Sequence, residues 1–202
     1  MIDFNAYRRS FELIARDFRR LTEFVEPDVS NADTHSFRIY ELTLRICTEF
    51  ESLCKELLVE KHYDTPPRKM TISDYKTLES DLKLEEAKIS LVLWKPANEF
   101  IKPFEGWSTK EPPLIWYQKY NTVKHNRNSQ FSLATLDNLR HSYCGLFCSL
   151  VKANVPFQGG ILQHWVDDEV EYEYKSMPFI IRRTDDEAVA SLEKGKGLLS
   201  IG

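Results

Sequence analysis

Asn121, Lys124, His125 and Arg127 fall within one short stretch in the middle of the chain, and their side-chain types suit work on a phosphodiester. A neutral imidazole at His125 can take the proton from a ribose 2′-hydroxyl, because histidine is the side chain whose charge ordinarily changes near neutral pH. Lys124 or Arg127 can neutralise the charge that builds on the phosphate during such an attack. Asn121, one helical turn before His125, can orient the imidazole or share a ligand with it. Gln118, Lys119 and Tyr120, just upstream, are candidates for holding substrate. There is a plainer alternative for the polar residues, a solvated helix face. For His125 it is a place near a helix C-terminus, where the ring meets terminal carbonyls and stabilises the fold.

The element that must carry these residues runs from Pro112 to Arg127. Pro112 and Pro113 suit a helix entrance, since the missing N–H has no intrahelical partner there and φ is already near the helical value. A helix from about Leu114 to His125 follows. Steps of about 100° per residue put Trp116, Tyr117, Tyr120 and Val123 on one arc and Gln118, Asn121 and His125 on the other. The stretch is also locally cationic: no Asp or Glu occurs between Pro112 and Leu136, although acids number 31 in the 202 residues. The net charge of −4 argues against wide, unspecific wrapping of nucleic acid but leaves room for a local basic site.

The rest of the chain reads as helices that support this one. Phe4, Tyr7, Phe11, Ile14, Phe18, Leu21 and Val25 recur at threes and fours, predicting a first helix from about Asn5 to Glu26, ended by Pro27. Its other face carries Arg8, Arg9, Arg16, Arg19 and Arg20. These could track nucleic acid, but Glu12, Asp17 and Glu23 interleave with them and favour a solvated face. A seven-turn core helix is predicted over about Thr34 to Lys61, striped by Tyr40, Leu44, Cys47, Phe50, Cys54 and Leu57. One of its acids, Glu41, Glu49, Glu51 or Glu56, is placed to face the central cations. Ser73 is the expected N-cap of a short helix over Asp74–Leu84, and Ile89 to Trp94 reads as a short extended run. After a loop over Asn126–Gln130, Ser132 is the expected cap of a last long helix to about Asn154, buried through Leu139, Tyr143 and Phe147.

With 42% hydrophobic residues and only 7 glycines, the chain can bury one domain. The expected organisation is a helical bundle over residues 1–156. A C-terminal extension over 157–202 is packed on it, with short extended segments at 161–166, 170–174 and 179–182. Neither Asp167, Asp168, Glu169 and Glu171 nor the Gly195–Gly197 segment has the spacing of a calcium or phosphate loop. The N-terminal segment lacks the apolar run of a secretory signal, and no run approaches the roughly 20 residues that span a bilayer. A cytoplasmic protein with its four cysteines as thiols is expected. Cys47 and Cys54 lie about 10 Å apart along a helix, too far for one zinc centre to join easily, so all four cysteines read as small buried hydrophobes.

The segment WYQKYNTVKHNR, preceded by Pro103, Phe104 and Trp107 and flanked by long helices, resembles the HEPN superfamily (higher eukaryotes and prokaryotes nucleotide-binding). In particular it is similar to bacterial HEPN-like proteins with the pattern YN-x-V-K-H-x-R, here Tyr120, Asn121, Val123, Lys124, His125 and Arg127. The likeness spans residues 34–61 and 103–153. It implies an up-and-down bundle of four to five helices, often a homodimer. Its cleavage of RNA uses an arginine shortly before a histidine, with no metal or cofactor. The positions where that arginine would fall hold Gln118, Lys119 and Tyr120. The functions so implied are a metal-independent endoribonuclease or an RNA- or nucleotide-binding protein, with a catalytically silent interaction module as the alternative.

Overall fold

The computed structural model describes residues 1–91, 93–96, 100–111, 114–155 and the backbone of 181–183, and it is mainly helical. Helix α1, Phe4–Thr22, starts at Asp3, whose carboxylate accepts from the backbone N–H groups of Asn5 and Ala6, both at 3.1 Å. Its buried stripe is Tyr7, Phe11, Ile14, Phe18 and Leu21. It stops four residues before the expected Glu26. There the N–H groups of Phe24 and Val25 both return to the Leu21 carbonyl, and Pro27 turns its predecessor away from helical geometry.

Helix α2, Phe37–Glu60, is capped by Ser36, whose Oγ accepts from the Ile39 N–H at 3.2 Å. It is the helix around which the others assemble. Its buried residues include Ile39, Ile46, Phe50, Leu53 and Leu58, and its largest interface is with α6, Leu136–Lys152. Consecutive residues on α2 serve different neighbours. The Ser52 hydroxyl accepts from the Tyr7 hydroxyl of α1 at 3.1 Å, whereas Glu51, about 100° round the helix, meets α5, Ile115–Gln130.

Of the expected core, Phe50, Leu139, Tyr143 and Phe147 are buried, with Phe11 against Tyr143 at 5.1 Å and against Phe147 at 5.4 Å. Leu44 and Leu57 are half-buried and pack on that core. Tyr40 is half-buried, with its ring 6.0 Å from Phe131. All four cysteines are buried thiols. No helix among the described residues is long and apolar enough to cross a membrane.

Between α2 and α5 lie α3, Ile72–Tyr75, and α4, Glu79–Leu82, joined by a 3-10 turn in place of one continuous helix. Their entrance is capped by Thr71, not Ser73: the Asp74 carboxylate accepts from both the backbone N–H and the hydroxyl of Thr71, at 2.7 and 3.0 Å. The extended run shrinks to β1, Ile89–Leu91, because Trp94 turns inward to be buried with the Arg140 guanidinium 4.2 Å over its ring. Strand β1 pairs antiparallel with β2, Phe100–Ile101, and with β3, Ile181–Arg183, in the order β2-β1-β3. Residues 181 and 182 of the anticipated C-terminal segment are therefore extended. The segments at 161–166 and 170–174, the acidic cluster from Asp167 to Glu171 and Gly195–Gly197 lie outside the described residues.

Two boundaries near the centre also differ. The expected loop Asn126–Gln130 continues as helix after a kink at Asn126 (φ −128°, ψ 39°), so α5 runs on to Gln130. Thr135, not Ser132, caps α6: its hydroxyl accepts from the Asn138 N–H at 3.2 Å, and Ser132 sits inside a 3-10 turn.

Candidate functional site

Helix α5 begins at Leu114, a non-glycine residue at φ 52° that is nonetheless buried, and whose carbonyl takes the N–H groups of Tyr117 and Gln118. Pro112 and Pro113 lie outside the described residues. The arc anticipated as apolar is the buried one: Trp116, Tyr117, Tyr120 and Val123. Trp116 donates its indole N–H to the Pro103 carbonyl at 2.7 Å and lies over α6 at Gly145, where an added Cβ would come within 2.9 Å of the ring.

Glu51 ties α5 to α2. The hydroxyls of Tyr117 and Tyr120 both donate to its Oε1, at 2.9 and 3.1 Å. Lys124 donates to the Tyr120 hydroxyl at 2.9 Å and stands 3.7 Å from the same carboxylate oxygen, with Lys55 3.8 Å from Oε2. Burial, reinforced by the negative charge of Glu51, pushes both tyrosine hydroxyls far above the ordinary phenol range, so they remain donors at neutral pH. The Lys124 ammonium is thus held in place, 5.1 Å from the Tyr120 ring centroid, while the side chain keeps 40% of its exposure.

The seven candidate residues separate into three groups. Tyr120 is buried and Lys124 is exposed, and both are turned to α2. Gln118 and Lys119 are half-buried. Lys119 contributes charge to Asp137 on α6. Burial alone would raise that carboxyl, but the hydrogen bond and charge of His141, with Arg140 and Lys119, more than offset it and hold it below the usual range. Asn121, His125 and Arg127 are exposed, and their side chains make no hydrogen bond or ion pair among the described residues. His125 stands immediately before the Asn126 kink, so the anticipated helix end coincides with a real break in the helix. Among the described residues its ring makes no hydrogen bond to a terminal carbonyl.

The arrangement offers an ammonium anchored by Glu51 and, on the same acid-free stretch of helix, an imidazole, amide and guanidinium without side-chain partners among the described residues, which suits recognition of a phosphate in open solvent. Glu51 was legible only as one of four acids on α2. The sharper signal is that Glu51 directly follows the core residue Phe50, which brings it to the edge of the buried stripe where the hydroxyls of Tyr117 and Tyr120, three apart, converge. The chain matches no family model, no curated protein and no solved structure.

Proposed function

We propose that this chain is a cytoplasmic HEPN-like RNA-binding protein that holds a phosphate at the end of α5 and cleaves the adjoining bond without metal. The observation that carries the reading is the exposure of Asn121, His125 and Arg127, without side-chain partners among the described residues, beside the anchored Lys124. In the step so assigned, neutral His125 removes the 2′-hydroxyl proton and the freed oxygen attacks phosphorus. The bond to the 5′-oxygen breaks, and that oxygen leaves with a proton from solvent. A 2′,3′-cyclic phosphate remains. Purified protein should therefore cut RNA in the presence of a chelator, leave cyclic-phosphate ends, and lose cutting on His125→Ala while binding persists. RNA bound but never cut would instead support a non-cleaving binding module. That second reading draws on the partial neutralisation of Lys124 by Glu51.

A single α5 end presents few cations for an RNA chain, and pairing two copies about a two-fold axis would double the local positive field. Light scattering at tens of micromolar should give the mass of a dimer. A monomer mass would count against this arrangement.

A further inference from the structure

We propose that the open groove between α1 and α2 is a second part of the RNA track, taking single-stranded RNA that runs on from the end of α5; this rests on the reading of α5 given above. The groove has a volume of about 650 Å³, and its lining includes Arg20, Phe24, Arg38, Leu42, Leu44 and Arg45. It also contains Asp17 and Glu41, but these acids are engaged, Asp17 by Arg45 and Glu41 by Arg38 at 3.2 Å. Arg20 has no ion pair among the described residues. Three arginines against two acids leave the groove cationic, and guanidinium groups both bind phosphate and stack on bases.

One face of α2 links the groove to α5. On α2, Phe37, Glu41, Leu44 and Thr48 recur at the spacing of one helix face, between the edge that meets α1 and the edge that meets α5. Leu44 lines both the groove and the small pocket beneath Tyr120 and Val123. At the other end of this strip Phe37 packs against Phe131, the residue that follows α5, with ring centroids 4.7 Å apart.

The occupant follows from what the strip exposes. Phe24, in the groove lining, is 83% exposed, and Phe37 keeps 60% exposure beside its contact with Phe131, so both leave aromatic surface in water close to arginines. Such rings stack unpaired bases, which duplex RNA does not offer. A docking protein helix needs a continuous apolar stripe to meet, and here Glu41 separates Phe37 from Leu44 and Thr48 ends the run.

The test is fluorescence anisotropy with a labelled mixed-sequence single-stranded RNA of about 20 nucleotides, read over a salt series. Phe24→Ala should weaken binding about 10-fold, and Arg20→Ala should flatten the logarithmic salt slope by about 0.7. Both side chains are exposed, and circular dichroism checks that the fold is kept. An RNA of about 4 nucleotides, long enough for the α5 end alone, should be indifferent to Phe24→Ala. Binding of the long RNA that falls on Arg127→Ala but ignores both groove substitutions would overturn the track and leave the α5 reading standing. Duplex bound as tightly as single strand would also overturn it. So would polyglutamate bound with the Phe24 dependence expected of RNA, which would give the groove to an acidic protein. No RNA binding by the wild type would remove both readings.

Discussion

At Glu51 two tyrosine hydroxyls and two ammonium groups converge on one carboxylate whose side chain is only 15% exposed. Removing it takes from the buried hydroxyls of Tyr117 and Tyr120 the acceptor they share, although Tyr120 keeps its bond from Lys124, and an unsatisfied buried group costs about 1–3 kcal/mol. Glu51→Ala should therefore lower the unfolding free energy by about 2–4 kcal/mol in urea titration, with Glu51→Gln, which keeps a carbonyl acceptor, losing less. Equal and negligible losses in the two variants would show that the hydroxyls find other partners. At this scale the sequence was informative about type and poor about partner. The polar stripe of Asn121 and His125 follows from residue spacing, and both are exposed. Which acid of α2 would reach Lys124 depends on the rotation of α2 against α5, a tertiary quantity that neither helix encodes alone.

The helices show the same division. The apolar stripes of α1, α2, α5 and α6 were visible because a 3.6-residue period repeats over many turns. Their ends were not, because ends are decided by one or two hydrogen bonds. Thr71 outcompetes Ser73 because its N–H and hydroxyl both donate to the Asp74 carboxylate, and Thr135 outcompetes Ser132 because its hydroxyl accepts from the Asn138 N–H. Strand β2, Phe100–Ile101, carried no such signal: two residues are too short for alternation, and its partner β1 supplies the pairing. The packing of α5 on α6 depends on a glycine whose role the sequence did not disclose. Gly145→Ala places a Cβ within 2.9 Å of Trp116, so overpacking of about 1–3 kcal/mol should exceed the helix-propensity gain of up to about 1 kcal/mol. Thermal denaturation should show a Tm lower by a few degrees together with altered Trp fluorescence. An unchanged or higher Tm would mean that α5 slides on α6 to relieve the contact.

Taken whole, the molecule carries a net charge of −4 yet keeps residues 112–136 free of acids, so its charge is segregated along the sequence. The bundle sets two acids from other helices against that stretch, Glu51 at Lys124 and Asp137 near Lys119. Helix α2 sits between α1 and α5, exposes Phe37, and anchors Lys124 through Glu51, while Asn121, His125 and Arg127 remain open to solvent. The β2-β1-β3 sheet stands apart from these contacts in the hydrogen-bonding pattern, with β3 paired to β1. The most direct measurement is the affinity of the wild type and of Arg127→Ala for single-stranded RNA across a salt series. An α5 end that holds phosphate predicts binding that weakens as salt rises, and a loss on Arg127→Ala that is similar for every sequence tested, with the salt slope shallower by about 0.7. Wild-type affinity and slope retained by Arg127→Ala, or no RNA binding by either protein, would contradict it.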